Sequence, residues 1–104
     1  MIATSLKRGL PPMHPGELLR EEVLPALGRS DEEIAGLLGV SRQEFLDILG
    51  ERASVTPEMA LRLGKLCGNG PALWLNLQRT FDLLKAEEQL GDALLAIPTL
   101  HAAA

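Results

Sequence analysis

The sequence predicts an all-α protein folded as a single domain of five helices. Leucine is abundant, β-branched residues are sparse, and no segment alternates with the period of two that a half-buried strand requires. Helix-capping residues and glycines also divide the chain into short amphipathic segments. A length of 104 residues fits one domain. It is too short for a β/α barrel, which needs about 250 residues.

The composition predicts a folded cytoplasmic protein. Hydrophobic residues make up 46% of the chain and charged residues 23%, which is typical of globular proteins. Cys67 is the single cysteine, so no intrachain disulfide forms, as suits a reducing compartment. Neither a signal peptide nor an apolar run of membrane-spanning length is present. We expect a flexible N-terminal arm over residues 1–12, a helical domain over 13–90 and a C-terminal extension or tail over 91–104.

The first two helices are predicted from their starts and stops. Pro15 is tolerated at the first position of a helix, and Pro25 is expected to end or kink that helix near Leu24. Ser30 is a suitable N-cap for the second helix, and Glu33 completes a capping box.

Three more helices follow by the same logic. A second capping box of Ser41 and Glu44 starts the third helix, and Gly50 ends it. The fourth helix starts at Thr56 and Pro57. Pro71 opens the fifth and longest helix. Its apolar residues follow a heptad-like spacing: Trp74, Leu77, Phe81 and Leu84. Gly91 is a candidate break, Pro98 ends any helix, and a loose tail is expected from Thr99 onward.

The second and third helices form a helix-turn-helix unit. Two short amphipathic helices are joined by the turn at Gly39-Val40, and such a unit presents its second helix to the major groove. Arginine reads guanine, glutamine reads adenine, and a carboxylate accepts from the cytosine amino group. The candidate DNA-contacting residues are Ser41, Arg42, Gln43, Glu44, Asp47 and Arg52.

The charge of this unit opposes that interpretation. The chain carries a formal net charge of −4, whereas DNA-binding surfaces are usually basic. The unit has Arg42 and Arg52 as its cations, against six acidic residues: Asp31, Glu32, Glu33, Glu44, Asp47 and Glu51. Two helices joined by a short turn also occur in ordinary small bundles, so a purely structural role for the pair stays open at this stage.

Four ordered blocks of sequence carry a family resemblance over roughly residues 11 to 86. The first block, MHPGELLREE, runs from Met13 to Glu22. The others are IA with LGVSRQ, VTPEMALRL, and WLNLQ with DL: residues 34–35 and 38–43, 55–63, and 74–78 with 82–83. Together they resemble HigA-type (VapI-type) antitoxins of the Xre, or Cro/C1-like, helix-turn-helix group.

The resemblance implies a five-helix lambda-repressor-like (Cro/C1-type) domain that dimerises and represses its own operon. It also implies a protein partner, a small RelE-like (HigB-type) toxin that cleaves mRNA on the ribosome. Ser41, Arg42 and Gln43 match the family and are expected to contact operator DNA. We expect the dimer to form through the fourth and fifth helices with Leu90, Leu94 and Leu95.

The chain departs from the family pattern beside those residues. Glu44 stands where a small polar residue is usual, and Asp47 where a neutral or basic residue is usual. Glu51 and Arg52 lie in a loop that is commonly more basic. The alternative is therefore a protein-interaction module, toxin-neutralising or other, whose acidic recognition helix has weak or no DNA binding.

Neither an enzyme nor a cofactor is predicted. The sequence has no Gly-rich phosphate loop, no His-Glu-x-x-His motif and no nucleophile elbow. His14 precedes a helix start, where an N-terminal cap is the preferred interpretation over a metal ligand. Cys67 lies on an apolar face and is interpreted as an inert buried thiol. Arg62 is either a solvated helix charge or a phosphate contact.

Overall fold

The structure is a computed structural model, and it describes residues 13–102. All regular structure within that range is helical, as the sequence predicts. The predicted N-terminal arm, residues 1–12, lies outside the described residues. The elements in chain order are α1 (Pro15–Leu18), a π-helical turn (Leu19–Val23), α2 (Leu24–Leu27), α3 (Asp31–Leu38), α4 (Arg42–Leu49), α5 (Pro57–Cys67), α6 (Ala72–Leu90) and α7 (Asp92–Leu95).

Of the two outcomes predicted at Pro25, an end of the helix near Leu24 is wrong, because helical turns continue through Pro25 to Leu27. A proline inside a helix removes one hydrogen bond and its ring collides with the carbonyl four residues earlier. Here the chain widens into a π-helical turn just before Pro25, and the Leu24 N–H bonds to the Leu19 carbonyl five residues back. The wider turn accommodates the proline, so the helix changes its pairing instead of ending.

Side-chain caps begin α3, α4 and α5 where the sequence places them. Ser30, Ser41 and Thr56 each accept a hydrogen bond from the backbone N–H three residues later. The full capping box forms only at α4. At α3 the Glu33 carboxylate bonds to Arg29 instead of returning to the Ser30 N–H, so the prediction of a box there is half right.

One hydrophobic core joins the helices. Phe45, Leu63 and Trp74 have no exposed surface, and each comes from a different helix. The first helix adds Leu19, which is 1% exposed. The rest of the buried apolar set comprises Ile34, Ala35, Leu38, Ile48, Leu49, Val55, Met59 and Ala60. Burial of these side chains supplies the main driving force for the fold.

The long helix α6 leaves the core after its first two turns. Trp74 is fully buried, but Leu77, Phe81 and Leu84 are only half-buried, so the predicted apolar seam lies partly at the surface. Gly91 ends the helix as expected, and the short α7 that follows is absent from the sequence prediction. No described helix combines the length and the hydrophobicity needed to cross a membrane.

Candidate nucleic-acid interface

The helix α4 has two faces with opposite roles. Phe45, Ile48 and Leu49 are buried against the core. The four residues from Ser41 to Glu44 are exposed. They form the N-terminal end of α4, directly after the tight turn. A helix held in this way can carry an exposed set of polar side chains without a change to its packing.

The turn between α3 and α4 depends on Gly39. Its φ of 78° is a left-handed conformation that glycine adopts without strain. The Val40 N–H then bonds to the Ala35 carbonyl at 3.1 Å, which closes the end of α3. Ser41, two residues after Gly39, can therefore act as the N-cap of α4.

The start of α4 is locked by its own side chains. The Ser41 hydroxyl accepts from the Glu44 N–H at 3.0 Å, and the Glu44 carboxylate accepts from the Ser41 N–H at 3.5 Å. This capping box holds both exposed residues in place. The Glu44 carboxylate also lies near the positive end of the helix dipole, which stabilises its charge.

Arg42 is held by an acidic residue of the preceding helix. Its Nε donates to Asp31 Oδ1 at 2.9 Å, and this hydrogen bond is the main reason that the pKa of Arg42 is raised. The two terminal nitrogens of Arg42 donate to none of the residues between 13 and 102. The guanidinium is therefore oriented by Asp31 and still has donors that face solvent.

Asp47 brings together the other predicted contact residues. Its Oδ1 accepts from Gln43 Nε2 at 2.9 Å and from Arg52 Nε at 3.2 Å. Arg52 also donates to the Leu46 carbonyl at 3.2 Å, so its guanidinium lies over the C-terminal part of α4. All six predicted site residues thus lie on or beside α4. Asp31 binds Arg42, Asp47 binds Gln43 and Arg52, and Ser41 and Glu44 bind each other.

Two arginines from other helices bind the C-terminal ends of α3 and α4. The sequence did not predict these contacts. Arg62 on α5 donates to the Leu38 carbonyl at 2.7 Å, at the end of α3. Arg20 donates to the Leu49 carbonyl at 2.6 Å, at the end of α4. Both cations satisfy carbonyl groups that have no partner within their own helix, and both favour the negative end of a helix dipole.

The first helix approaches α4 very closely at Gly16. A Cβ atom at this position would lie 1.9 Å from the Ile48 carbonyl oxygen, so only glycine fits. The Gly16 N–H also fixes the start of the first helix, because it donates a hydrogen bond to His14 Nδ1 at 2.9 Å. The predicted cap role of His14 is confirmed, and this cap requires that Nδ1 carry no proton.

His14 is buried and packs against Phe81 in a T-shaped contact, with ring centroids 4.9 Å apart. Burial lowers the pKa of His14 and outweighs the attraction of nearby Glu51 and Asp82. The lowered pKa favours the neutral ring that the cap needs. Burial likewise raises the pKa of the half-buried Cys67 thiol, in line with the inert role predicted for it.

Known proteins match most of the length of this chain. Virulence-associated protein I of Dichelobacter nodosus is 38% identical over 92 residues, which is 88% of this chain and 85% of that protein. The solved structure of antitoxin GraA in complex with its operator has a TM-score of 0.82 at 44% identity, over 89% of this chain and 95% of that chain.

A third relative, also a solved structure, identifies the family. The structure of Pseudomonas aeruginosa antitoxin HigA with the higBA promoter has a TM-score of 0.81 at 34% identity, over 86% of this chain and 99% of that chain. This chain belongs to the HigA family of antitoxins. No protein-family model matches the sequence. The relatives of this HigA-family chain are antitoxins and helix-turn-helix transcriptional regulators, so the expectation of a non-enzymatic protein is confirmed.

The structure explains the HPGE sequence that opens the domain in this HigA-family chain. His14 caps the first helix, and Pro15 occupies its first turn. Gly16 allows the close contact with α4, and Glu17 lies at the positive end of the helix dipole. His14, Pro15 and Glu17 therefore favour the start of the first helix, and Gly16 allows that helix to lie against α4.

Proposed function

We propose that this chain is a sequence-specific DNA-binding autorepressor that acts as the antitoxin of a HigBA-like type II toxin-antitoxin system. The observation that carries the proposal is the exposed polar start of α4, on a helix whose other face is locked into the core. In the HigA and GraA relatives the same fold is found with promoter or operator DNA.

Each exposed residue of α4 has a chemical role in this function. Arg42 donates to the O6 and N7 acceptors of guanine, and Gln43 pairs with adenine. Ser41 contacts a phosphate or a base edge at the helix start. Glu44 and Asp47 accept from the cytosine amino group, and Arg52 contacts the backbone phosphates.

The proposed binding form is a homodimer in the cytoplasm. A dimer places two copies of α4 in successive major grooves, about 34–36 Å apart on a pseudo-palindromic operator. Apolar side chains suited to the contact between subunits are exposed on α6 and the segment beyond it: Leu83, Leu90, Leu94, Leu95 and Ile97. Size-exclusion chromatography with light scattering tests this point, since a monomer at micromolar concentration contradicts it.

The proposed protein partner is a RelE-like toxin of the HigB type. Support comes from the relatives GraA and HigA, whose solved structures carry the name antitoxin. The test is co-expression with the product of the adjacent reading frame, followed by co-purification on a tag carried by either chain. Recovery of the tagged chain alone, with both proteins folded, contradicts the antitoxin half of the proposal.

Fluorescence anisotropy with the DNA upstream of the gene tests the repressor half. A duplex of scrambled sequence and equal length provides the comparison. We expect Arg42→Ala to weaken operator binding about tenfold or more, because a bidentate base contact is lost. The matched control is Arg79→Ala, which removes the same charge from the exposed surface of α6. Equal effects of the two substitutions contradict the role of Arg42.

A specific observation favours a second candidate, the protein-interaction module with little affinity for DNA. Both arginines of the α4 surface are already paired with carboxylates, Arg42 with Asp31 and Arg52 with Asp47. Phosphate contacts are strongest at low salt. A wild-type protein that binds neither duplex at low salt, yet co-purifies with the toxin, establishes this second function in place of the first.

A further inference from the structure

Two carboxylates accept hydrogen bonds from side chains that are proposed to contact DNA. Asp31 Oδ1 binds Arg42, while Asp47 Oδ1 binds both Gln43 and Arg52. We propose that Asp31 and Asp47 are specificity-determining residues that suppress binding to DNA of arbitrary sequence. The inference rests on the proposed DNA-binding function and concerns the same surface.

Binding to arbitrary DNA depends on the attraction between protein cations and phosphates. A cation that is already paired gains less from a phosphate, because the phosphate must replace an existing partner. The displaced carboxylate then lies beside a polyanion without a partner, which adds like-charge repulsion. Since Arg42 and Arg52 are both paired, every DNA sequence meets this penalty on the α4 surface.

Base edges can offset the penalty at particular sequences. Asp47 lies one helical turn after Gln43 and is bonded to it, so the two side chains share one face of α4. The carboxylate of Asp47 can therefore exchange its present partners for a cytosine amino group, which is a donor in the major groove. When Gln43 and Arg52 turn to the DNA, a sequence without that donor leaves the carboxylate unpaired, so Asp47 discriminates between sites.

Asp31 acts on the same surface by orienting the guanidinium of Arg42. It accepts from Nε of Arg42 and leaves the two terminal nitrogens available to other acceptors. The guanidinium can then contact a guanine while the Asp31 bond persists. A phosphate approaching Arg42 has to do so beside the Asp31 carboxylate, which repels the charged phosphate more strongly than the neutral base edge of guanine.

The two ion pairs are exposed, so they are not required for the fold. The Arg42 and Arg52 side chains are 57% and 62% exposed, and those of Asp31 and Asp47 are 30% and 36% exposed. Ion pairs at such exposure contribute little to stability. Asparagine has nearly the same shape as aspartate, so neutral variants at both positions should remain folded.

The test compares Asp31→Asn, Asp47→Asn and the double variant with wild type on two DNA duplexes. One duplex carries the upstream operator region, and the other is a scrambled sequence of equal length. Glu87→Gln is the matched control, because it removes one exposed charge from the distant part of α6. Anisotropy titrations at one low salt concentration give the two dissociation constants for each protein, and circular dichroism confirms that each is folded.

We expect each single variant to bind the scrambled duplex about tenfold more tightly than wild type, with a smaller gain on the operator. The ratio of the two affinities therefore falls. Glu87→Gln should change both by less than about twofold. The inference is overturned if the variants match this control, if both duplexes gain equally, or if binding weakens. If wild type fails to distinguish the duplexes, the proposed operator recognition fails, while affinity for the scrambled duplex still tests whether the carboxylates suppress binding.

Discussion

Nη1 of Arg20 lies 2.6 Å from the carbonyl oxygen of Leu49 and donates a hydrogen bond to it. The same guanidinium pairs with Glu51, in the loop that follows α4. Together with the contact of Gly16 on Ile48, this bond attaches both the side and the end of α4 to the first helix. The position of α4 in the domain is therefore set by residues far from it in sequence.

Arg20→Ala is expected to lower stability, since the Leu49 carbonyl loses its donor and Glu51 loses its cation. The midpoint of urea unfolding should fall clearly. Arg29→Ala provides the control, because among the residues that the structure describes this arginine pairs with Glu33 alone, in an exposed contact just before α3. A midpoint no lower than that of the control would show that the Leu49 contact adds nothing.

Gly16→Ala is expected to be strongly destabilising, because the new methyl group would overlap the Ile48 carbonyl. Overpacking of this kind costs about 1–3 kcal/mol or more in free energy of unfolding. Gly36→Ala is the matched control, as its Cβ would meet no atom within 4 Å on an exposed part of α3. That change should stabilise by about 0.5–1 kcal/mol. Urea unfolding of both variants measures the difference, and similar values would refute the close contact.

The stability of the domain is expected to fall as the pH drops below about 6.5, the ordinary pKa of histidine. Burial lowers the pKa of folded His14, so the unfolded chain takes up its proton first. The contribution is complete above the ordinary pKa and is lost between that value and the lower pKa of the folded state. Urea unfolding between pH 5 and 8 gives the profile.

The control for that profile is His14→Asn, which retains a capping side chain without a titratable ring. This variant should be less dependent on pH over the same interval. An identical slope in the two proteins would assign the pH dependence to other groups.

Gln78→Leu should destabilise by about 1–3 kcal/mol, since a buried donor loses its acceptor. Gln78 Oε1 accepts from the Val55 N–H at 2.7 Å, and its amide nitrogen donates to Asp82 at 3.0 Å. Gln89→Leu changes the same residue type at an exposed position and should be nearly neutral. Thermal unfolding compares the two, and equal melting temperatures would exclude a structural role for the Gln78 amide.

Local signals were sufficient to predict where most helices begin. Ser30, Ser41 and Thr56 cap their helices through bonds that span three residues, and Gly39 closes a turn that involves only its neighbours. Such features depend on short-range geometry, which a sequence displays directly. The arrangement of these helices as a lambda-repressor-like domain was predicted from the resemblance to HigA-type antitoxins.

Long-range contacts were not predictable from the pattern of residues. Arg20 lies in the π-helical turn, where the ordinary helical period fails, and its partner Leu49 is 29 residues away. Arg62 reaches Leu38 across 24 residues. Gln78 reads as an ordinary surface polar residue, although it is buried and bonded to Val55. The pairing of Asp31 with Arg42 likewise appears only once the two helices are packed together.

The division of α4 into a buried face and an exposed start has a consequence for evolution. Substitutions at Arg42 and Gln43 alter the groups that the helix offers to its target, while the capping box of Ser41 and Glu44 and the core contacts of Phe45 and Ile48 are kept. Under the proposed function, operator preference can therefore change through these two positions while the fold is kept.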